Sequence, residues 1–327
     1  MLTTRFTDLV GCTVPIQQAG MGSLANPRLA KAVADAGGLG TVSIYTAPTD
    51  MAAGILDDLA ERTPGVFGGN VIVRYVDPEC VHEFVATIAA RSRVVDFFYS
   101  DPDPALVEVV HAHGALACWQ VGSREEAVAA VAAGCDFVIA QGVEAGGHVR
   151  GTIGLLALLD EVLDAVDVPV LAAGGIGSGR TMAAVLAAGA DGVRIGTRLV
   201  ASEESGAHPA YIEALIAARP GDTVYDDSFQ IDWPEPEAPG RLLRSSVEAA
   251  RVFGGDIVGE ATHFYAGGTY PVMRWGVDAV REGHTGNIGA MSLWAGESVS
   301  GVKRIQPAGE IIREMAAEAE VLLRRWC

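Results

Sequence analysis

The feature that most constrains this chain is a repeated unit in which an alanine-rich helix ends at a glycine and a short apolar strand follows. The unit occurs as AVADAGGLGTVS (32–43), AVAAGCDFVIAQG (130–142) and AVLAAGADGVRIGT (184–197). A glycine after the last helical turn supplies the left-handed residue that ends many helices. A strand that is apolar throughout is typical of a parallel sheet buried on both faces. The repeat therefore predicts an α/β chain of alternating strands and helices.

Counting along the chain gives eight predicted strands with helical segments between them. Two helices have recognisable starts, at Asn26 before Pro27 and at the capping-box pattern from Ser123 to Glu126. Eight parallel strands with crossover helices close naturally into a (β/α)₈ TIM barrel, and an open doubly wound sheet is the structural alternative. The predicted strands are 14–20, 38–43, 67–73, 94–100, 116–122, 136–142, 169–175 and 192–197.

The alternation of strands and helices ends after Ala201. The segment 209–285 contains the acidic, proline-rich stretch DWPEPEAP (232–239), and we expect a smaller, irregular helical insertion with a strand near 223–231. Residues 307–325 have the apolar spacing of an amphipathic helix that packs back on the barrel. The expected organisation is a (β/α)₈ barrel domain of residues 1–208 and 286–327, with 209–285 as an insertion or lid subdomain.

Charge and composition exclude several classes of function. The 327 residues include 41 acidic and 23 basic side chains, and the resulting charge of −18 repels nucleic acid and anionic membranes. The five cysteines form no C-x-x-C pair, which argues against a disulfide framework or a metal site. No signal-peptide core or membrane-length apolar run occurs. We therefore expect a cytoplasmic protein whose partners are small molecules. The sequence leaves open whether the protein forms a homodimer.

The ends of the last two predicted strands carry a candidate phosphate site. Active sites of such barrels lie at the carboxyl ends of the strands, where these two strands end in AAGGIGSG (172–179) and RIGT (194–197). The first stretch leads into a helix N-terminus, whose free N–H groups and dipole favour an anion. Its glycines allow close approach of the backbone, and Thr197 adds a hydroxyl donor. The alternative is that the glycines only form turns.

The loop after the sixth predicted strand, QGVEAGGHVRG (141–151), carries the candidate catalytic residue His148. A histidine with a pKa near neutrality beside a flexible glycine loop suits a general base. Asn70 and Gln141 are strand-end amides that can donate and accept toward a planar heterocycle. Glu144 either orients its neighbours or faces solvent, and we expect the stretch beginning at Trp294 to shape the pocket.

These motifs resemble those of the nitronate monooxygenase family, also called 2-nitropropane dioxygenases, through most of the chain. The matching stretches are PIQQAGMG (15–22), Asn70, QGVEAGGH (141–148), VLAAGGIGSG (170–179) and RIGT (194–197). The resemblance implies noncovalently held FMN. The residues that it implies for cofactor binding are Gly20, Met21, Gly22, Asn70, Gln141, Gly146, Gly147, Gly174, Gly175, Arg194, Gly196 and Thr197.

The resemblance also implies an activity, the O₂-dependent oxidation of alkyl nitronates to carbonyl compounds and nitrite. The family's matching histidine acts at the substrate, so His148 would remove the proton of a nitroalkane or seat a preformed nitronate. The alternative on this scaffold is an FMN-dependent NAD(P)H reductase of the enoyl-acyl-carrier-protein or NADH:quinone type, and a non-catalytic FMN-binding protein is a further one. The family often has glutamine where this chain has Arg194, which would put a charge near the phosphate end of the cofactor.

Overall fold

The computed structural model describes residues 2–233, 238–264 and 267–325. The strands in these ranges are β1 (Ile16–Gln18), β2 (Gly40–Ser43), β3 (Phe67–Ile72), β4 (Val94–Phe98), β5 (Leu116–Val121), β6 (Phe137–Gln141), β7 (Gly147–His148), β8 (Val170–Ala173), β9 (Gly192–Ile195), β10 (Thr223–Asp226), β11 (Gly240–Leu243), β12 (Ile257–Thr262), β13 (Thr269–Met273) and β14 (Thr285–Gly286). The helices are α1 (Arg5–Val10), α2 (Pro27–Asp35), α3 (Thr49–Arg62), α4 (Val81–Ala89), α5 (Pro104–Ala112), α6 (Arg124–Ala132), α7 (Leu155–Leu163), α8 (Gly179–Ala187), α9 (Thr197–Val200), α10 (Pro209–Ala217), α11 (Arg244–Val252) and α12 (Ala308–Leu323).

The central sheet is a barrel of eight parallel strands within the described ranges, in the order β1-β9-β8-β6-β5-β4-β3-β2. Its two edges meet, because the Gln18 N–H donates to the Leu39 carbonyl at 2.9 Å and the Leu39 N–H donates to the Ile16 carbonyl at 2.9 Å. Each barrel strand lies within one of the predicted strands. The (β/α)₈ prediction is therefore confirmed, and the open doubly wound alternative is wrong.

The repeated helix–glycine–strand unit has the local geometry that its sequence predicts. Gly37, Gly134 and Gly189 follow α2, α6 and α8 with φ of +91°, +101° and +110°, the left-handed region that glycine enters without steric cost. The strands β2, β6 and β9 that follow are buried along their whole length. Burial on both faces is what a parallel sheet covered by helices requires.

Helix starts agree with the sequence in one case and differ in the other. The Asn26 side chain accepts from the N–H groups of Arg28 and Leu29, as its position before proline predicts. The Ser123 hydroxyl accepts from the Glu126 N–H at 3.2 Å, but the Glu126 carboxylate accepts from the Gly122 N–H instead of completing the capping box. Glu126 is drawn away by the Arg150 guanidinium, which ties α6 to the loop after β6.

The segment 209–285 differs most from its prediction. It is not mainly helical, because β10 and β11 form an antiparallel sheet with β7, and β12 pairs with β13 and β14. The strand expected near 223–231 ends at Asp226. The apolar side chains of this segment share one core cluster with Leu24, Val200 and Leu293. Residues 234–237 and 265–266 lie outside the described residues, and the division into barrel and lid stays a prediction.

The terminal helix α12 packs on α8 and α2, which confirms the prediction that it returns to the barrel. Its buried face includes Ile311, Ile312 and Met315, at the spacing that the sequence shows. None of the helices in the described ranges is long and apolar enough to cross a membrane.

Candidate active site

A cavity of about 530 Å³ lies at the carboxyl ends of the barrel strands, within the usual size range of small-molecule and cofactor sites. Its inner wall consists of barrel strand ends, and its outer wall comes largely from the segment 209–285. The structure brings together at this cavity all the residues that the sequence selects, and their contacts with a cofactor stay a prediction. They are Gly20, Met21, Gly22, Asn70, Gln141, Gly146, Gly147, His148, Gly174, Gly175, Arg194, Gly196 and Thr197.

One end of the cavity has the features of an anion site. Gly174 and Gly175 turn the chain from β8 toward α8 with φ of +113° and +68°, conformations that favour glycine. A Cβ on Gly175 would approach nothing closer than 3.6 Å, so there is space in front of this turn. The Thr197 hydroxyl accepts from the Gly296 N–H at 3.0 Å, which leaves its own proton available to a ligand. Backbone and hydroxyl donors at a helix entry suit a phosphate.

The floor of the cavity is fixed by contacts to Asn70. A Cβ on Gly20 would fall 2.3 Å from the Asn70 Oδ1 atom, so glycine is needed where the chain leaves β1. The Asn70 amide donates to the Asp96 carboxylate at 3.1 Å and accepts from the Ser43 hydroxyl at 3.2 Å. Its orientation is therefore set by the protein and does not depend on a ligand.

Arg194 crosses the interior of the barrel. Its Nη1 atom lies 2.6 Å from Oδ2 of Asp96, and both side chains are almost fully buried. The strands β9 and β4 that carry them lie on opposite sides of the barrel. Complete burial raises the pKa of the Asp96 carboxyl, and the Arg194 guanidinium and the Asn70 amide oppose that rise. The guanidinium charge thus lies toward the β4 wall and not beside the phosphate loops, where the resemblance suggested it.

His148 is held as a neutral ring with one defined tautomer. Its Nδ1 atom lies 2.8 Å from the Ala238 carbonyl oxygen, and because a carbonyl can only accept, Nδ1 carries the proton. The Nε2 atom is consequently an acceptor, and it is buried without a hydrogen-bond partner among the described residues. Burial lowers the pKa of His148 to about 4. The prediction of a pKa near neutrality is wrong, because the sequence does not show how completely the ring is desolvated.

The segment 209–285 supplies much of what holds this histidine. Gly240 in β11 lies opposite His148 in β7, and the Trp233 indole stacks on the imidazole with ring centroids 3.6 Å apart. The Trp294 indole is tilted against the imidazole with ring centroids 4.8 Å apart. It lines the cavity, so the expectation that it shapes the pocket is confirmed. Sequence reasoning missed Trp233 and Ala238, and the one available signal was the tryptophan within the proline-rich stretch.

Glu144 orients its neighbours and does not simply face solvent. Its carboxylate accepts from the Leu155 N–H at 2.9 and 3.0 Å, at the start of α7. That helix has no side-chain cap from its own N-cap residue, Gly154. A carboxylate at a helix N-terminus satisfies a free N–H and is favoured by the helix dipole. Glu144 therefore anchors the glycine-rich loop that carries His148.

The outer wall is aromatic with a polar rim. Tyr45 and Tyr75 stack with ring centroids 5.3 Å apart, and the Tyr270 hydroxyl donates to the Asp278 carboxylate at 3.2 Å. Burial raises the pKa of Asp278. Arg281 also lines this rim. None of these residues belongs to a motif that the sequence analysis recognised.

Buried polar atoms at the cavity fit a planar heterocycle. The Gln141 Oε1 and the Arg194 Nε have no hydrogen-bond partner among the described residues, although both side chains line the cavity. An unsatisfied buried polar group costs about 1–3 kcal/mol, so a ligand that supplies partners is favoured. An acceptor and a charged donor match the N–H and carbonyl edge of a flavin. The residues present therefore fit FMN, whose phosphate would lie at the glycine turn.

A closed barrel with a glycine turn and a buried histidine at a cavity on its carboxyl side is the arrangement of (β/α)₈ enzymes that act on small molecules. The sequence model of the nitronate monooxygenase family matches residues 3–318. The chain belongs to this family and is an oxidoreductase of the nitronate monooxygenase type.

Two curated relatives are informative. A probable nitronate monooxygenase of Staphylococcus saprophyticus is 28% identical, with 99% of each chain covered. A protein of Rhodococcus jostii, named (3aS,4S,5R,7aS)-5-hydroxy-7a-methyl-1-oxo-octahydro-1H-indene-4-carboxyl-CoA dehydrogenase, is 38% identical over 204 residues. The latter match spans 62% of this chain and 57% of the relative, so the chain covers less than two thirds of that protein.

Two solved structures are similar over essentially the whole chain. FabK from Thermotoga maritima has a TM-score of 0.79 at 28% identity and covers 100% of this chain and 99% of its own. A nitroalkane oxidase from Streptomyces ansochromogenes has a TM-score of 0.77 at 29% identity and covers 99% of this chain and 100% of its own.

Proposed function

We propose that this protein binds FMN and oxidises alkyl nitronates with O₂ to carbonyl compounds and nitrite. The observation that carries the proposal is His148, a neutral imidazole whose Nε2 can only accept, on the wall of the cavity that also contains the anion-binding turn. Membership of the nitronate monooxygenase family and the likeness to a nitroalkane oxidase support it.

The cofactor would be held from its two ends. Gly174, Gly175, Gly196 and Thr197 would take the phosphate through backbone N–H groups and a hydroxyl. Gln141 and Arg194 would meet the ring, with an acceptor and a donor that have no other described partner. The remaining predicted residues, Gly20, Met21, Gly22, Asn70, Gly146 and Gly147, would line the ring and the ribityl chain. Bound FMN supplies the electron chemistry and the reduction of O₂.

His148 would accept the proton from the carbon next to the nitro group. A protonated Nδ1 that donates to Ala238 leaves the Nε2 lone pair as the working atom. A neutral acceptor suits removal of a proton from an uncharged nitroalkane better than it suits hydrogen bonding to a preformed anion. The aromatic rings around the imidazole exclude water, so the proton has few competing acceptors.

The test is oxygen consumption by the purified, FMN-loaded protein. We expect O₂ uptake with ethyl nitronate and nitrite formed in proportion to the substrate consumed. His148→Asn, which keeps a similar shape at the site, should retain the yellow flavin spectrum and serves as the control for folding. A yellow wild-type protein that consumes no O₂ with nitronates of several chain lengths would refute the proposed reaction while leaving flavin binding intact.

A second candidate is an FMN-dependent NAD(P)H reductase of the enoyl-acyl-carrier-protein or NADH:quinone type, which the likeness to FabK supports. The partial match to a relative named as a carboxyl-CoA dehydrogenase adds acyl thioesters to the substrates worth testing. Anaerobic mixing with NADH distinguishes the candidates, because rapid loss of the oxidised flavin spectrum favours a reductase. Loss of that spectrum only with a saturated acyl-CoA would instead favour a dehydrogenase.

A further inference from the structure

A buried ion pair lies beneath the cavity with its positive end toward it. Arg194 lines the cavity, whereas its partner Asp96 lies behind it and is fully enclosed by protein. Because arginine does not lose its proton in proteins, the buried cation requires an anionic counter-charge, and Asp96 is 2.6 Å away. The pair is therefore a fixed dipole whose positive partner borders the cavity and whose negative partner does not.

The side chains of Asp96 and Arg194 differ in how many of their hydrogen-bonding atoms have a partner. Asp96 accepts from Arg194 at 2.6 Å and from the Asn70 amide at 3.1 Å, with the Cys118 thiol at 3.7 Å. Arg194 still has a buried Nε–H without a partner among the described residues. Both oxygens of the carboxylate thus have partners in the protein, while the guanidinium keeps one N–H that no described group accepts.

A buried pair of this kind is a poor source of stability, since the cost of removing two charges from water offsets most of their attraction. Its position suggests another purpose. A fixed cation in a site closed to water acts strongly on charge that develops nearby, because the surrounding medium screens it weakly. A flavin that gains two electrons and one proton acquires one negative charge on its ring, so such a cation favours the reduced form over the oxidised form.

We propose that the Arg194–Asp96 pair is a positioning and tuning device that sets the reduction potential of the bound flavin, with the guanidinium favouring the reduced ring. The inference rests on the FMN binding of the proposed function but not on the nitronate reaction. Asp96 moderates the effect by compensating part of the charge, and Asn70 holds Asp96 in place. The electrons come from the substrate in turnover, and from dithionite in the experiment below.

The test is the midpoint potential of the flavin in Arg194→Gln, Asp96→Asn and the double variant, measured by anaerobic dye equilibration. Arg194→Gln should lose at least tenfold in preference for reduced over oxidised FMN, which corresponds to a fall of about 30 mV for a two-electron couple. Burial raises the pKa of Asp96, so in Arg194→Gln this carboxyl should take up a proton once the cation is gone. The double variant should therefore have the same potential as Arg194→Gln.

Asp96→Asn should shift the potential upward, opposite to Arg194→Gln, because the cation loses its counter-charge. Arg198→Gln is the matched control, since Arg198 is a buried arginine that hydrogen-bonds Gln306 and is outside the cavity lining; its potential should stay that of the wild type. Equal potentials in wild type and Arg194→Gln would overturn this inference and leave the proposed function standing. Shifts of the same sign in both single variants would do the same. Absence of bound FMN in the wild type would overturn it together with the proposed function.

Discussion

The inner and outer walls of the cavity are built on different principles. The inner wall is formed by the ends of parallel strands and by glycine turns such as Gly174–Gly175, whose positions follow from the barrel. The outer wall comes largely from two small antiparallel sheets and aromatic side chains of the segment 209–285. His148 lies where the two meet, in a barrel loop but paired to β11. Under the proposed function, the inner wall would bind the cofactor and the outer wall would set the chemistry.

The largest expected effect comes from His148→Asn, which removes the proton acceptor at the junction of the walls. Reaction with neutral nitroalkanes should slow by roughly 10²–10⁴-fold, the usual contribution of a general base. Reaction with preformed nitronates should slow less, because the proton is already gone. Steady-state kinetics with nitroethane and with ethyl nitronate measures both rates. Equal losses with the two substrates would mean that His148 positions the substrate and moves no proton.

A substitution in the inner wall should affect the cofactor and spare the chemistry. Gly175→Ala places a side chain at φ +68°, which costs about 1–2 kcal/mol for an L-residue, and it should weaken FMN binding by roughly tenfold. Binding of riboflavin, which has no phosphate, should change little. Fluorescence titration of the apoprotein with both flavins tests this, and Gly54→Ala, in a helix with open space around it, is the control. An equal loss for both flavins would argue against a phosphate at this turn.

A substitution in the outer wall should slow the reaction and leave FMN binding unchanged. A Cβ at Gly240 would fall 2.6 Å from the Trp294 ring and 2.7 Å from the Gly147 carbonyl, so Gly240→Ala should separate β11 from β7. The His148 ring then loses its fixed acceptor. We expect kcat to fall by roughly tenfold, because one hydrogen bond contributes about 1 kcal/mol, and FMN affinity should stay unchanged. If Gly240→Ala loses FMN as readily as Gly175→Ala does, the proposed division of labour between the walls fails.

A last expected effect is on acid stability and not on the reaction. The folded-state pKa of His148 is lowered to about 4, below the value of about 6.5 for an unfolded chain. As the pH falls from 6.5 toward 4 the unfolded chain takes up a proton that the native ring does not, so stability is lost, by at most about 3 kcal/mol. His284, also lowered to about 4 by burial, adds to this loss.

Urea unfolding of wild type and His148→Asn between pH 4 and 7 isolates the contribution of His148. The difference in free energy of unfolding between the two proteins should change with pH only below about 6.5. For the same reason, the acid limb of kcat/KM should lie well below pH 6.5 in the wild type. A limb at pH 6.5 would show that the imidazole is solvated in the working enzyme.

The same contrast explains what the sequence could predict. Glycines after helices and apolar strands depend on contacts close in sequence, so the eight barrel strands and the strand-end residues were predicted. The tautomer of His148 depends on the Ala238 carbonyl, 90 residues away, and the position of the Arg194 charge depends on Asp96, 98 residues away. A single sequence carries no local sign of such pairings. Of the strands in 209–285 only the first, β10, was expected, and the others were missed because their irregular patterns resemble loops.

The most direct test of the account is anaerobic mixing of the purified, FMN-loaded protein with ethyl nitronate and, separately, with NADH, followed by flavin absorbance. The account predicts that the nitronate removes the oxidised flavin spectrum within the time of a turnover and that NADH does so far more slowly. Rapid reduction by NADH with none by the nitronate would contradict it.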